Sequence, residues 1–384
     1  MSDKPGYDQF IKHSQNWIFD FPDTKILREL LEMRLNEKDA VFLSTFPHFP
    51  STIEQLSESF NISADELITR MQPLIKEGFI YEVEGRSATR FSKTDPLFFF
   101  GRLPGWLGKK DEFAKKYAPL MNQYYDQNFG QDFMGHHTKG LRSIPVNTTV
   151  DDPRSILPYE DLLAYVEKED YHTVSSCACR HNFNMDLDRE DCKHEVEVCL
   201  HFGRLGKYIV KNDMGRKIEK AETLEILKRC ADNGLVHAIS NTKNGMDTIC
   251  NCCSCCCIFL RSINLADGVP REYHQRSNYM VQVNSETCIA CGLCGKRCPI
   301  DAIKLVDKTD VKQSEEGKKL KPKDLKTVSY DPDACIGCGV CVHKCPTQSL
   351  TLTKRDTVED IPENFFDAGM RMMTERGKDP STMF

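Results

Sequence analysis

Nineteen cysteines are distributed very unevenly along this 384-residue chain. Residues 1–176 contain none, residues 177–257 contain eleven, and residues 288–345 contain eight. Thiols in a reducing compartment stay free to bind metals, and an odd number of cysteines argues against complete pairing in disulfides. The distribution therefore predicts a metal-free N-terminal part followed by two metal-binding regions.

The length and charge of the chain limit the classes of protein to consider. The chain is too long for one compact core and long enough for two or three domains. Its net charge of −6 gives no general reason to expect nucleic acid or an anionic membrane as a partner. The N-terminal MSDKPGYDQF has no basic start followed by an apolar run, and no apolar stretch approaches the ~18 residues of a membrane helix. We therefore expect a cytoplasmic protein without a membrane span.

Two C-terminal segments share the pattern C-x2-C-x2-C-x3-C-P, namely CIACGLCGKRCP at 288–299 and CIGCGVCVHKCP at 335–346. This repeat resembles that of bacterial two-cluster ferredoxins. In that pattern three cysteines of one tight loop hold one [4Fe–4S] cluster, and the fourth, turned away by the proline, ligates the other cluster. The resemblance implies one cluster at Cys288, Cys291, Cys294 and Cys345, and a second at Cys335, Cys338, Cys341 and Cys298.

A zinc ribbon is the alternative for this repeat, because it also uses paired C-x2-C sequences. It leaves the third cysteine of each triplet and the proline unexplained. Strand-like segments flank both motifs and predict two pseudo-symmetric halves. The lysine-rich segment between them, at 307–326, is interpreted as a solvated loop, with the steering of an acidic partner as the alternative.

Ten further thiols lie in two groups within the middle of the chain. The upstream group is Cys177, Cys179, Cys192 and Cys199, and the downstream group, in ICNCCSCCC, is Cys250, Cys252, Cys253, Cys255, Cys256 and Cys257. One cubane cannot use ten thiols, so the simplest count is two further [4Fe–4S] clusters, four in total, with two cysteines spare and the pairing open. Zinc in the C-x-C…C…C set, a larger or non-cubane cluster, and redox-active thiols are the alternatives.

The remaining cysteine and the nearby histidines carry no assignment. Cys230 falls in the helix predicted at 219–233 and is interpreted as a small buried apolar residue. Several histidines of the same region could replace a cysteine, but a lone histidine is more often a hydrogen-bonded core residue. These are His172, His181, His194, His201 and His237.

The N-terminal residues 1–96 predict a winged-helix-like domain. An amphipathic helix in 24–45 is followed by helices capped at Ser51 or Thr52 and at Ser63, and then by two β-rich pieces turning around Gly85 and Arg86. Residues 21–96 carry nine Lys/Arg and thirteen Asp/Glu, a net charge of −4. Because phosphate neutralisation supplies most of the affinity for DNA, we expect protein docking or scaffolding rather than DNA binding.

The sequence thus predicts an α+β multidomain protein with an α/β Cys-rich middle. The predicted units are 1–96 (winged-helix-like), 97–170 (helical connector), 171–280 (Cys-rich domain), 281–354 (two-cluster ferredoxin domain) and 355–384 (docking tail). The tail places Phe365, Phe366, Met370, Met372 and Met373 on an apolar helix surface. This surface either meets a partner or folds back onto the chain.

The order of the motifs resembles a poorly characterised group of anaerobe proteins called 4Fe–4S ferredoxins. The matching features are the winged-helix-like start, CACR at 177–180, CL at 199–200, SNTKNGMDTICNCCSCCC at 240–257, and the ferredoxin pair. The resemblance covers nearly the whole chain but carries no activity with it.

No dinucleotide, nucleoside-triphosphate or radical S-adenosylmethionine motif is present. We interpret the chain as an electron-transfer protein or subunit that relays electrons through several [4Fe–4S] clusters to or from a partner oxidoreductase in anaerobic metabolism. It is more readily a subunit than a catalyst alone. The alternatives are a reductase with an unusual iron–sulfur site in its middle domain and a redox-sensing regulator. Self-association is left open.

Overall fold

The computed structural model describes residues 4–85, 87–152, 156–158, 160–265, 274–309 and 320–383. Arg86, at the predicted wing turn, and positions 310–319 of the lysine-rich segment lie outside the described residues. Tyr159 also lies outside them. No helix among the described residues is long and apolar enough to cross a bilayer.

The N-terminal region consists of short capped helices and a small sheet. Its elements are α1 (Pro5–Gln15), α2 (Lys25–Arg34), α3 (Glu37–Leu43), β1 (Ser51–Thr52), α4 (Ile53–Phe60), α5 (Ala64–Lys76), β2 (Ile80–Glu84) and β3 (Thr89–Lys93). Thr52 caps α4 in a capping box with Gln55, and Ser63 caps α5, both at predicted cap positions. The antiparallel sheet has the order β1-β3-β2. The winged-helix-like fold stays a prediction.

The middle of the chain is built on a six-stranded sheet. Its elements are α6 (Leu103–Trp106), α7 (Glu112–Tyr124), α8 (Gly130–Gly135), β4 (Leu141–Ser143), α9 (Leu162–Lys168), β5 (His172–Ser175), α10 (Ala178–Asn184), β6 (Cys199–Phe202), α11 (Gly203–Lys211), β7 (Arg216–Ile218), α12 (Lys220–Asp232), β8 (Val236–Ser240), β9 (Thr248–Cys252) and α13 (Ile258–Leu265). The strand order is β4-β8-β9-β6-β5-β7, and every pair is antiparallel. The middle therefore mixes helices and strands, but all the strand pairs described for this sheet are antiparallel, unlike those of a parallel α/β fold.

The C-terminal region repeats itself at a fixed spacing. It contains β10 (Tyr279–Val283), α14 (Leu293–Arg297), β11 (Ile303–Asp307), α15 (Pro322–Leu325), β12 (Lys326–Tyr330), α16 (Val340–His343) and β13 (Leu350–Lys354). Each of β10, α14 and β11 recurs 47 positions later as β12, α16 and β13, just as Cys288 recurs as Cys335. The first strand of each half pairs antiparallel with the last strand of the other. The two halves therefore interlock.

The N-terminal sheet packs against the cysteine-rich region through α11. The buried Tyr208 hydroxyl donates to the Ile75 carbonyl at 2.9 Å, and its ring meets Tyr81 edge-on at 4.8 Å. Lys211 pairs with Glu82 of β2 at 2.6 Å. One side of α5 and β2 is thus occupied by the chain itself.

The C-terminal helix α17 (Phe365–Glu375) packs back onto the chain. Met372 and Met373 are buried, while Phe365 and Phe366 remain 48% and 46% exposed. Beyond the helix, Arg376 pairs with Asp132 of α8 at 3.1 Å. The tail therefore folds back through its buried methionines and leaves Phe365 and Phe366 partly open to solvent.

Candidate metal centres

The two C-terminal cysteine loops need an unusual backbone conformation, and they adopt it at equivalent positions. Ala290 and Gly292 have φ of 54° and 75°, and their counterparts Gly337 and Gly339 have φ of 68° and 74°. This left-handed region favours glycine. It turns the amides inward, so that the Ala290 N–H lies 3.5 Å from the Cys288 Sγ and the Gly337 N–H lies 3.4 Å from the Cys335 Sγ. Amides aimed at thiolates stabilise their negative charge.

Cys298 lies with the cysteines of the other half of the repeat. It lines one small apolar cavity together with Cys335, Cys338 and Cys341. The Ala302 N–H donates to the Cys298 Sγ at 3.2 Å, and burial raises the pKa of this thiol. The predicted ligand set of the second cluster is thus brought together around a space of its own, which fits the donor chemistry of an iron–sulfur cluster.

The first predicted set is nearer to solvent. Burial and the neighbouring Cys291 and Cys288 raise the pKa of Cys294, while Cys291 itself is exposed. The remaining member, Cys345, contacts the Thr347 hydroxyl at 3.9 Å. The Ser349 hydroxyl contacts the hydroxyls of Thr347 at 2.6 Å and of Thr287 at 2.9 Å. These contacts join the loop of Cys345 to Thr287, the residue before Cys288.

The ten middle thiols surround one cavity and one tight cluster. The cavity, of about 40 Å³, lies between α6, α10 and the end of β9. It is several times the ~10–15 Å³ that one water needs. Six thiols border the cavity without joining the tight cluster, and we call them the six-thiol set. They are Cys177, Cys179, Cys199, Cys250, Cys252 and Cys257.

Neighbouring thiols within the six-thiol set shift one another's pKa values. The adjacent Cys250 thiol and burial raise the pKa of Cys199. Contacts with Cys199 and Cys252 lower the pKa of Cys250, helped by the Arg102 charge. The Arg102 charge therefore favours the ionised form of the Cys250 thiol.

The other four thiols form what we call the quartet: Cys192, Cys253, Cys255 and Cys256. Their sulfurs all lie within 4.8 Å of one another. Cys253 lies 3.8 Å from Cys192 and 2.9 Å from Cys256, and Cys255 lies 3.4 Å from Cys192. Among the described residues, no other set of His, Cys, Asp and Glu side chains meets this spacing. Cys253 and Cys256 also border the cavity, so the two groups adjoin.

Two buried histidines of this region, His201 and His237, are occupied by hydrogen bonds within the chain. His201 contacts the hydroxyls of Ser175 and Thr248 at 2.9 and 3.3 Å, and burial lowers its pKa to about 3. His237 contacts the Asn251 side chain at 2.7 Å, and burial lowers its pKa to about 4. Both are neutral core residues at neutral pH. Cys230 is buried in the core, as expected.

Sequence reasoning missed two arginines at this site. Arg180 is nearly fully buried and donates to the Cys253 Sγ at 3.4 Å and to the Asn251 carbonyl at 3.1 Å. Its position directly after Cys179, in CACR, was the available signal. Arg102 reaches the cavity from the region predicted as a connector, where nothing in the local sequence pointed to it.

A chain of direct contacts joins the second C-terminal loop to the cavity. The Val146 N–H donates to the Cys338 carbonyl at 3.2 Å, and the Ile144 N–H, two residues earlier, donates to the His237 carbonyl at 2.9 Å. The His237 ring contacts Asn251, which lines the cavity of the six-thiol set. These two predicted metal sites are therefore connected through the protein interior.

These sites define an iron–sulfur protein with a ferredoxin-like C-terminal part. Residues 287–349 match the family model described as a 4Fe-4S dicluster domain, which contains all eight cysteines of the repeat. This match favours iron–sulfur clusters over the zinc-ribbon alternative. No curated protein and no solved structure matches the chain. The resemblance of the remaining regions to anaerobe proteins stays a prediction.

Proposed function

We propose that this protein is an electron-transfer protein or subunit that passes electrons between a partner oxidoreductase and its own interior, in anaerobic metabolism. The observation that carries the proposal is the contact chain from Cys338 through Val146 and His237 to Asn251. When bound, a [4Fe–4S] cluster takes up and gives up one electron at a time. A contact chain between the second C-terminal loop and the six-thiol cavity gives electrons a path between the two sites, which a protein that only stores iron does not need.

Exposure of the cysteines supports an order of the sites in this relay, from the surface to the interior. Cys291 is exposed and its neighbour Ile289 is 46% exposed, so the first C-terminal site is open to a docking partner. Cys335, Cys338 and Cys341 are all buried, and Cys338 is the member in contact with the middle region. The order of the sites is therefore the outer loop of Cys288, Cys291 and Cys294, the inner loop of Cys335, Cys338 and Cys341, and then the six-thiol set.

The N-terminal region fits a scaffolding or protein-docking role in this proposal. The exposed positions of α5 include Asp65, Glu66 and Lys76, a net negative face that phosphate would repel. The opposite side of this region is held by α11 through Tyr208. A redox-sensing regulator would need a basic reading surface, so the regulator alternative is less well supported than the relay.

Iron and spectroscopic analysis tests the proposal. Anaerobically prepared protein is expected to contain at least about twelve irons per chain, four at each of two C-terminal sites and four or more at the six-thiol set. Acid-labile sulfide should match the iron, and low-temperature EPR of the reduced protein should show interacting cubane signals. Colourless protein, or zinc alone at Cys288 and its partners, would contradict it.

A second candidate function, a reductase, is favoured by a larger cavity beside the six-thiol set. This cavity of about 330 Å³ shares Arg102 with the six-thiol cavity, and Asp95 and Asp247 line it as well. Burial raises the pKa of Asp247 to about 6 and also raises the pKa of Asp95. Perturbed carboxyl groups in a cleft are typical of catalytic acids.

The reductase candidate makes its own prediction. Azide, a small anionic probe, should alter the EPR signal of the six-thiol site in wild-type protein but not in Arg102→Leu, because the guanidinium would hold the anion. Any activity that needs protonated Asp247 should be retained below pH 6 and lost as the pH rises through about 6. A spectrum unchanged by azide and by every candidate substrate leaves the relay as the better proposal.

A further inference from the structure

The quartet of Cys192, Cys253, Cys255 and Cys256 is the one thiol group in the described chain whose sulfurs all lie within 4.8 Å of one another. We propose that it holds a single zinc ion in tetrahedral coordination and no iron–sulfur cluster. The sequence suggested two further clusters for the middle cysteines and placed a zinc alternative on the C-x-C…C…C set that begins at Cys177. The geometry points to a different set of four.

Sulfur–sulfur separation distinguishes the two kinds of metal group. A Zn–S bond of about 2.3 Å places the sulfurs of a tetrahedral site about 3.8 Å apart. The thiolates of a cubane sit on four separate irons around a sulfide core, so their sulfurs are on the order of 6 Å apart. The quartet has contacts of 2.9 to 3.8 Å and no separation above 4.8 Å. Four thiolates this close leave room for one ion.

The identity and number of the ligands also fit zinc. Four cysteine sulfurs with no free position form a closed structural site, and tetrahedral sulfur coordination selects zinc or iron among common metals. Four thiolates around a divalent ion carry a net charge of about −2. The Arg180 guanidinium, hydrogen-bonded to Cys253 at 3.4 Å, offsets part of this charge. Such outer contacts hold ligands in place and tune metal affinity.

The position of the quartet shows what the ion does. Cys192 lies in the segment 185–198, which joins α10 to β6 without any helix or strand of its own. The Asn184 side chain accepts the Cys192 N–H at 2.9 Å, and the other three ligands come from the turn after β9. The ion therefore fastens an irregular loop to the edge of the cavity that contains the six-thiol set, and ligand binding of this kind contributes directly to folding.

Metal analysis of matched variants tests this proposal. The full-length protein is produced with both iron and zinc supplied, and both metals are quantified per chain in wild type, Cys255→Ser and Cys230→Ala. Cys255 is exposed, so its replacement opens no cavity in the core, whereas Cys230 is a buried thiol outside both groups. We expect about one zinc in wild type and in Cys230→Ala, and less than ~0.2 in Cys255→Ser, with iron unchanged in all three.

X-ray absorption at the zinc edge gives an independent readout, with four sulfurs at about 2.3 Å expected in wild type. Hydrogen exchange in 185–198 should increase in Cys255→Ser, because the loop loses its anchor. Wild type without zinc overturns the proposal, and a loss of about four irons in Cys255→Ser overturns it in favour of a cubane. A loss of one iron overturns the zinc assignment in favour of mononuclear iron. Since the zinc count is read separately from the cubane signals, failure of the electron-relay proposal leaves this result intact.

Discussion

Replacement of Cys338 by alanine is expected to slow electron flow strongly from the outer C-terminal site to the six-thiol set. Cys338 combines two roles in our proposal, because its thiol belongs to the inner ligand set and its carbonyl accepts the Val146 N–H at 3.2 Å. The substitution removes one of four ligands from a buried site. The outer loop with Cys288, Cys291 and Cys294 keeps its own backbone conformation and should still fill.

Rapid-freeze EPR measures this effect directly. After mixing with an anaerobic one-electron donor, the outer site of Cys338→Ala should be reduced at the wild-type rate. Reduction of the six-thiol site should slow by more than ~10-fold, equal to about 1.4 kcal/mol in activation free energy. Cys230→Ala serves as the control for loss of a buried thiol. Wild-type kinetics at the six-thiol site would show that electrons reach it without the inner loop, and the relay order would be wrong.

The C-terminal site could be predicted from the sequence because its ligand spacing is local. Three cysteines within seven residues, with one glycine or alanine in each two-residue spacer, almost determine the loop, and the left-handed φ values of Gly292 and Gly339 follow from that pattern. The caps at Thr52 and Ser63 were predictable for the same reason, since a cap contacts residues three positions away. The family match independently supports the iron–sulfur character of this part.

The middle site could not be predicted because its grouping depends on contacts distant in sequence. The CNCCSCCC segment supplies both groups, with Cys252 in the six-thiol set and its neighbour Cys253 in the quartet. Adjacent strand-end residues point in opposite directions, so spacing alone cannot assign them. Their partners, Cys199 and Cys192, come from a strand and a loop more than fifty residues earlier. Arg102, in the region predicted as a connector, reaches the same cavity only through the tertiary fold.

Gly337→Ala is expected to abolish assembly of the inner C-terminal site, and the structure separates two reasons for this. Gly337 has a φ of 68°, but the equivalent Ala290 tolerates 54°, so the backbone conformation alone does not forbid alanine. The lack of space around Gly337 does forbid alanine, because a Cβ there would overlap the Ser277 hydroxyl and the Tyr279 carbonyl oxygen. Ser277 is itself fixed, since its hydroxyl donates to the Gly337 carbonyl at 2.9 Å.

Gly292→Ala is the matched control for this prediction. It places alanine at a φ of 75° in the outer loop, where the nearest obstacle is the flexible Leu305 side chain at 3.3 Å. A left-handed alanine costs about 1–2 kcal/mol, whereas the added backbone overlap at Gly337 should bring the total above about 3 kcal/mol. Urea titration of the iron–sulfur absorbance, with iron counted per chain, should show a small shift for Gly292→Ala and a loss of about four irons for Gly337→Ala. Equal effects of the two substitutions would mean that the conformation, and not the close approach of Tyr279, makes glycine necessary in these loops.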